Sequence, residues 1–243
     1  MDLPYYPRER VILEAYSPEW IVCSIGTCGI LTRALVGKLG REYHESQRLA
    51  LEFAHQVVRA VGIVPPDERV STPHILVEAA DALIDDPEHI LLLATTWRYL
   101  PEGIEICSAG SNSVLLVEGT MMREVITPHT VLAQLQSQGY QLSFKQKMQI
   151  RNQLTRSLGS RKNRLRCRAD EVQMALVSWS PGTTIAIFED RLLVEDLLEH
   201  PVPRSELSSF IDAWPHPRGK TSVLISWGKE EECTRHKGEY LMS

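Results

Sequence analysis

The side chains of this protein that could do chemistry are scattered, and few stand at a spacing that a reaction needs. The five cysteines, Cys23, Cys28, Cys107, Cys167 and Cys233, are odd in number and far apart, a pattern of free thiols in a reducing compartment. Cys23 and Cys28 have no second ligand pair at zinc spacing, and Cys233 with His236 lies in a charged tail. The eight histidines, among them His44, His55, His74 and His129, have no partner at nucleophile spacing. His129, after Thr127-Pro128, reads as structural. Ser111 lacks the strand-to-helix elbow of a hydrolase nucleophile, and Asp85-Asp86 before Pro87 reads as a helix end.

One electrostatic feature stands out. Lys145, Lys147, Arg151, Arg156, Arg161, Lys162, Arg164, Arg166 and Arg168 follow one another without an acidic residue between them. Such a run is usually a solvated face; as a site it would take an acidic surface, a phosphoprotein or nucleic acid. The formal net charge of −5 argues against wholesale nucleic-acid binding.

The elements that must position these residues follow from pattern. Val11–Tyr16 and Trp20–Ile25 are short apolar runs around Ser17-Pro18-Glu19 and predict a hairpin. Leu49, Phe53, Val57, Val58 and Val61 recur at helical spacing until Gly62 and Pro65-Pro66. Thr72-Pro73 opens a second helix. Ile90–Thr96 with Gly103–Ser108, and Ser113–Val117 with Met121–Ile126, predict two hairpins. Thr127-Pro128 opens a helix ended by Gly139, and Ser143 caps another reaching Leu158-Gly159. Val172–Ser178 and Thr183–Phe188 are expected to pair across Ser180-Pro181-Gly182. Helices around Leu192–Glu199 and Ser205–Trp214 and a strand, Ser222–Trp227, complete the pattern.

Tight turns between strands imply antiparallel sheet. The expected fold is α+β, a sandwich of two antiparallel sheets flanked by helices. Its core should hold Ile21, Val22, Leu92, Ile106, Leu115, Val177, Ile185, Ile187, Val223 and Ile225. With 43% hydrophobic and 23% charged residues in 243, the chain reads as one domain over residues 1–228 with a polar tail, 229–243. The polar, proline-bearing start and the lack of a long apolar run give the expectation of a cytoplasmic protein without a membrane span.

Several segments, in order, resemble the metal-dependent protein phosphatases of the 2C type (PPM family). Ile25-Gly26-Thr27-Cys28-Gly29 resembles its D-G-x-G-G motif, and Ala109–Gly119 its G-D-S-R-x-Y-L-x-x-x-G hairpin. Ile126-Thr127-Pro128-His129 is similar to L-T-x-D-H. Arg151-Asn152-Gln153-Leu154-Thr155-Arg156-Ser157-Leu158-Gly159 is nearly the family's R-N-x-L-T-R-A-L-G. Glu189-Asp190-Arg191-Leu192 resembles S-D-G-L, and Gly219-Lys220-Thr221-Ser222 resembles D-N-x-T. The resemblance spans about residues 11–227 and implies the α-β-β-α sandwich.

It also implies a site. Family members hold magnesium or manganese with aspartates, which supply a hydroxide-like water and offset phosphoryl charge. By resemblance the aspartate positions fall on Ile25, Gly110 and Gly219, and Asp190 alone keeps its carboxylate. One carboxylate cannot hold two divalent cations. The expectation is therefore a phosphatase-like protein without enzymatic activity or cofactor, acting as a protein-binding, regulatory module. The alternative is an active serine/threonine phosphatase with an atypical metal site, using Asp190 with Glu189, Asp196 or acids elsewhere. Lys220 is expected beside Asp190 as an ion pair in the metal's place. Arg161, Lys162, Arg164, Arg166 and Arg168 are expected to face an acidic or phosphorylated protein partner.

Overall fold

Leu49, Phe53, Val57, Val58 and Val61 line one face of α1 (Glu42–Gly62), and all five are buried. They lie against a five-stranded antiparallel sheet together with α2 (Thr72–Leu83), whose Leu76, Val77 and Ala80 are buried too. Pro73 stands in the first turn of α2, where no backbone donor is lost. The structure is a computed structural model that describes residues 10–15, 20–25, 27–36, 42–84, 90–159, 164–178, 180, 182–215 and 221–226.

This sheet, B, has the order β2-β3-β4-β5-β8: β2 (Ile21–Ile25), β3 (Cys28–Val36), β4 (Ile90–Leu100), β5 (Gly103–Ala109) and β8 (Gln173–Val177). The other, A, has the order β1-β10-β9-β6-β7: β1 (Arg10–Ala15), β10 (Thr221–Ser226), β9 (Thr183–Phe188), β6 (Ser113–Glu118) and β7 (Met121–Ile126). Every pairing is antiparallel. Beyond sheet A lie α5 (Arg191–Glu199) and α6 (Leu207–Ala213); α3 (Val131–Ser137) and α4 (Phe144–Ile150) lie between β7 and β8 in sequence. The expected α+β two-sheet sandwich is the fold observed.

The burial pattern explains the layers. Ile185 and Ile187 of β9 point between the sheets with Ile104, Ile106, Val114, Val177, Val223 and Ile225. Their neighbours Ala186 and Phe188 point outward, under Leu193, Leu197 and Ile211 of α5 and α6. A strand covered on both faces has no polar side to show, hence its uninterrupted apolar sequence. Of the expected core, Ile21 and Val22 are half-buried and the other eight are buried.

Two expected hairpins are absent. β1 pairs with β10 in sheet A while β2 pairs with β3 in sheet B, and β8 pairs with β5 while β9 pairs with β6 and β10. In both cases a turn-like sequence carries the chain from one sheet to the other. β3 itself was hidden by Gly29, which reads as a strand breaker. The glycine is required because a Cβ there would come within 2.1 Å of the Trp97 ring. The helix expected to reach Leu158-Gly159 ends at Ile150.

Candidate functional site

The C-terminal end of β9 is followed by two consecutive carboxylates, Glu189 and Asp190. Asp190 is the N-cap of α5: its Oδ1 accepts from the Leu192 amide at 3.0 Å. Its Oδ2 accepts from Trp214 Nε1 at 3.3 Å and lies 3.8 Å from Arg151 Nη1. Trp214 is the C-cap of α6 and Arg151 the C-cap of α4. Asp190 is 5% exposed. Glu189 takes its partners from Trp20, just before β2, and from Arg33 of β3. Trp20 Nε1 donates to Oε2 at 2.9 Å and Arg33 Nη1 to Oε1 at 2.7 Å. Arg33 shares a strand face with Leu31, which is buried between the sheets.

Beside these residues the chain turns through Gly110-Ser111-Asn112. Gly110 has φ +122°, and a Cβ there would lie 2.9 Å from Leu93 Cβ, so glycine is the residue this turn accepts. His129 clasps the turn: its amide donates to Gly110 O at 2.7 Å, and the Gly110 amide donates to His129 Nδ1 at 3.3 Å. Nδ1 is therefore the unprotonated nitrogen. Burial, with the nearby Arg156 charge adding to it, holds the imidazole below its ordinary pKa; a backbone hydrogen bond with Glu171 and its charge act the other way. His129 is the structural group the sequence pointed to. Arg191, the first residue of α5, pairs with Glu124 of β7. One turn on, Glu195 accepts from Lys147 Nζ at 2.5 Å and from Gln136 at 2.6 Å. These contacts fix the helix that Asp190 caps against β7, α3 and α4.

Ile25 does not share this site. It ends β2 at the turn into β3, where its carbonyl faces Gly62 at the end of α1, and the neighbouring Thr27 carbonyl accepts from Tyr99 at 2.9 Å. Trp20, at the other end of the strand, is the residue that touches Glu189. Five residue steps of extended chain separate them, about 16 Å. The Gly-x-x-Gly spacing had matched a hairpin turn, so Ile25 says nothing of the ligand facing Asp190. Gly219 and Lys220 lie outside the described residues; among the described residues the cation beside Asp190 is Arg151. Asp196 is on α5, with His200 Nδ1 3.3 Å from its Oδ1.

The basic run is divided. Arg166 pairs with Asp81 at 2.7 Å, and Arg168 with Asp170 at 3.3 Å and Glu171 at 3.6 Å. Arg156 also pairs with Glu171. Arg164 is exposed, whereas Arg161 and Lys162 lie outside the described residues. Cys23, Cys28, Cys107 and Cys167 are free, and burial pushes the Cys28 and Cys167 thiols up to about 12, which makes them inert.

No family model matches the sequence, and no curated protein is similar to it. Solved structures are similar in fold. The PPM Ser-Thr phosphatase MsPP of Mycobacterium smegmatis, in complex with cacodylate, is 15% identical, with a TM-score of 0.61 over 92% of this chain and 98% of that one. Stp1, the serine/threonine phosphatase of Staphylococcus aureus, is 9% identical, with a TM-score of 0.62 over 93% and 95%. The catalytic domain of the phosphatase PstP, in complex with two manganese ions, is 11% identical, with a TM-score of 0.58 over 90% and 94%. The chain has the fold of the PPM serine/threonine phosphatases. The resemblance read from the sequence motifs therefore holds at the level of fold.

The likeness to the PPM phosphatases corrects the expectation of a protein without enzymatic activity. The similar structures are serine/threonine phosphatases, and Ile25, one of the three positions from which loss of the site is expected, stands elsewhere. Manganese or magnesium is the ion the PPM fold implies. The described residues at the β9 end do not fit it: both oxygens of Asp190 have partners inside the chain, and among the described residues no three His, Cys, Asp or Glu side chains could share an ion. Sequence reasoning missed Trp20, Arg33, Arg151 and Trp214. For Arg33 there was a signal, a charge on the inward-facing side of an apolar strand. For the others, contact with Glu189 or Asp190 had no local trace. No helix among the described residues is long and apolar enough to cross a membrane.

Proposed function

We propose that this protein is a binding and regulatory module on a phosphatase scaffold, and that its ligand is a phosphorylated or acidic segment of a protein partner. The observation that carries this reading is a phosphatase-type sandwich over nine-tenths of the chain. At the rim of that sandwich, Arg33 pairs with Glu189 and Arg151 lies 3.8 Å from Asp190, and exposed Arg164 belongs to the same basic run as Arg151. Guanidinium groups suit phosphate and carboxylate alike, through planar paired donors. Arg161 and Lys162 adjoin Arg164 in sequence and complete the basic stretch offered to the partner, whereas Arg166 and Arg168 orient it through their own ion pairs.

The test compares phosphoserine and phosphothreonine peptides with their unphosphorylated forms by fluorescence anisotropy, with phosphate release followed in manganese. Phosphorylated peptides should bind about tenfold tighter or better, as one charge-assisted contact supplies. Binding should weaken with salt and with Arg164→Glu. Equal affinity for both peptide forms would overturn the proposal. A second reading, an active serine/threonine phosphatase with an atypical metal site, is favoured by the place of Ile25, which removes one of the three positions that argued against a site. Manganese-dependent phosphate release by the purified protein would establish it.

A further inference from the structure

Glu189 and Asp190 are adjacent residues whose side chains are 16% and 3% exposed, and a carboxylate held so far out of water is costly unless a cation lies beside it. In a metal-dependent site the ion is that cation. Here each carboxylate has an indole N–H and a guanidinium from remote parts of the chain, all of them hydrogen-bonded to it except Arg151, whose Nη1 faces Asp190 as an ion pair without a hydrogen bond. Trp20 and Arg33 reach Glu189 at 2.9 and 2.7 Å, while Trp214 and Arg151 reach Asp190 at 3.3 and 3.8 Å. The other oxygen of Asp190 is fixed by the Leu192 amide at 3.0 Å as the cap of α5. The side chains of Asp190 and Arg151 are 3% and 14% exposed, so water screens their interaction little.

A divalent ion would need lone pairs turned toward it at about 2.0–2.6 Å. It would also have to approach the Arg151 guanidinium, which does not give up its protons in a protein. We infer that Arg33 and Arg151 are the resident counter-ions of the Glu189–Asp190 pair, and that Asp190 binds no divalent metal in this protein. The charge that a soluble ion brings to such a rim is built into the chain, from strand β3 and from the end of α4. This goes beyond the phosphoprotein reading and stands or falls separately from it, because the measurement needs no peptide and no turnover. A phosphatase site assembled by this chain would have to draw its ligands from residues other than Asp190.

Thermal unfolding of the full chain in manganese and in chelator tests it, with wild type, Asp190→Asn, Arg151→Met and the double variant. A site with micromolar affinity would raise Tm by about 5 °C or more at about 1 mM manganese. The expected result is a wild-type Tm that manganese does not move. Arg151→Met should lower Tm by about 3 °C, since it leaves Asp190 without its cation, and the double variant should regain more than half of that loss. A manganese-dependent rise in wild type that Asp190→Asn abolishes would overturn the inference. So would an Arg151→Met protein as stable as wild type. If Arg151→Met does not fold, wild type against Asp190→Asn in manganese decides alone: an unmoved wild type supports the inference, and a rise lost in Asp190→Asn refutes it.

Discussion

Arg98 and Arg33 sit toward opposite ends of the same two strands, and they are satisfied in different ways. Arg98, on β4 opposite Cys28, is 2% exposed. Its Nη2 donates to the carbonyls of Val64, Pro65 and Glu68 at 3.3, 2.8 and 3.0 Å. These carbonyls follow the C-terminus of α1, where the helix dipole already favours a cation. Five strand positions away, Arg33 is held by the carboxylate of Glu189. At the turn end, fixed backbone dipoles bind one arginine and lock the α1–α2 connection. At the rim, side-chain charges balance one another in pairs. Backbone partners cannot be removed by substitution or titration; carboxylates can be. The turn end is therefore architecture, and the rim is where chemistry can be changed.

Breaking the turn end should have the largest effect. Arg98→Met empties a buried position and leaves the carbonyls of Val64, Pro65 and Glu68 short of their donor, and should cost about 3 kcal/mol or more in urea denaturation. Peptide binding by the remaining folded protein should be unchanged. A loss below about 1 kcal/mol would mean that the carbonyls are satisfied otherwise and that the contrast between the two ends is not real.

Gly110→Asp is expected next, at about 2 kcal/mol by thermal unfolding. It forces a side chain onto φ +122° and against Leu93. The aspartate of the family pattern would thus be restored by type and still not fit this turn. A Gly110→Asp protein as stable as wild type would show that the turn has a second conformation with room for a carboxylate.

The smallest effect sharpens the rim. The pKa of His129 is lowered in the folded state, so below about pH 6.5 the unfolded chain takes up a proton that the folded one resists. Stability from this residue is complete above that pH and declines as pH falls through it. His129→Gln should flatten the urea midpoint between about pH 7 and 5, by an amount under about 1 kcal/mol. An unchanged slope would assign the pH dependence to other groups.

Local pattern was enough for the existence of most helices and strands and for most of the inward-facing residues, whereas β3 was not read and the helix expected from Thr127-Pro128 begins at Val131 behind Thr130. Ser143 does cap α4, with the capping box to Gln146, and Leu92, Ile185 and Val223 are buried as their pattern required. A turn residue, a cap or a period of two acts within a few positions, so each can be read where it stands. That β1 and β2 enter different sheets could not be read this way, because strand pairing is settled by partners as distant as Ser226 and Thr32. Nor could the meeting of Asp190 with Arg151 and Trp214, or the place of Ile25 at a turn about 16 Å from Trp20. Motif spacing measures distance along the chain. Which charges balance one another depends on distance through space, and that exists only once both sheets have closed on their common core.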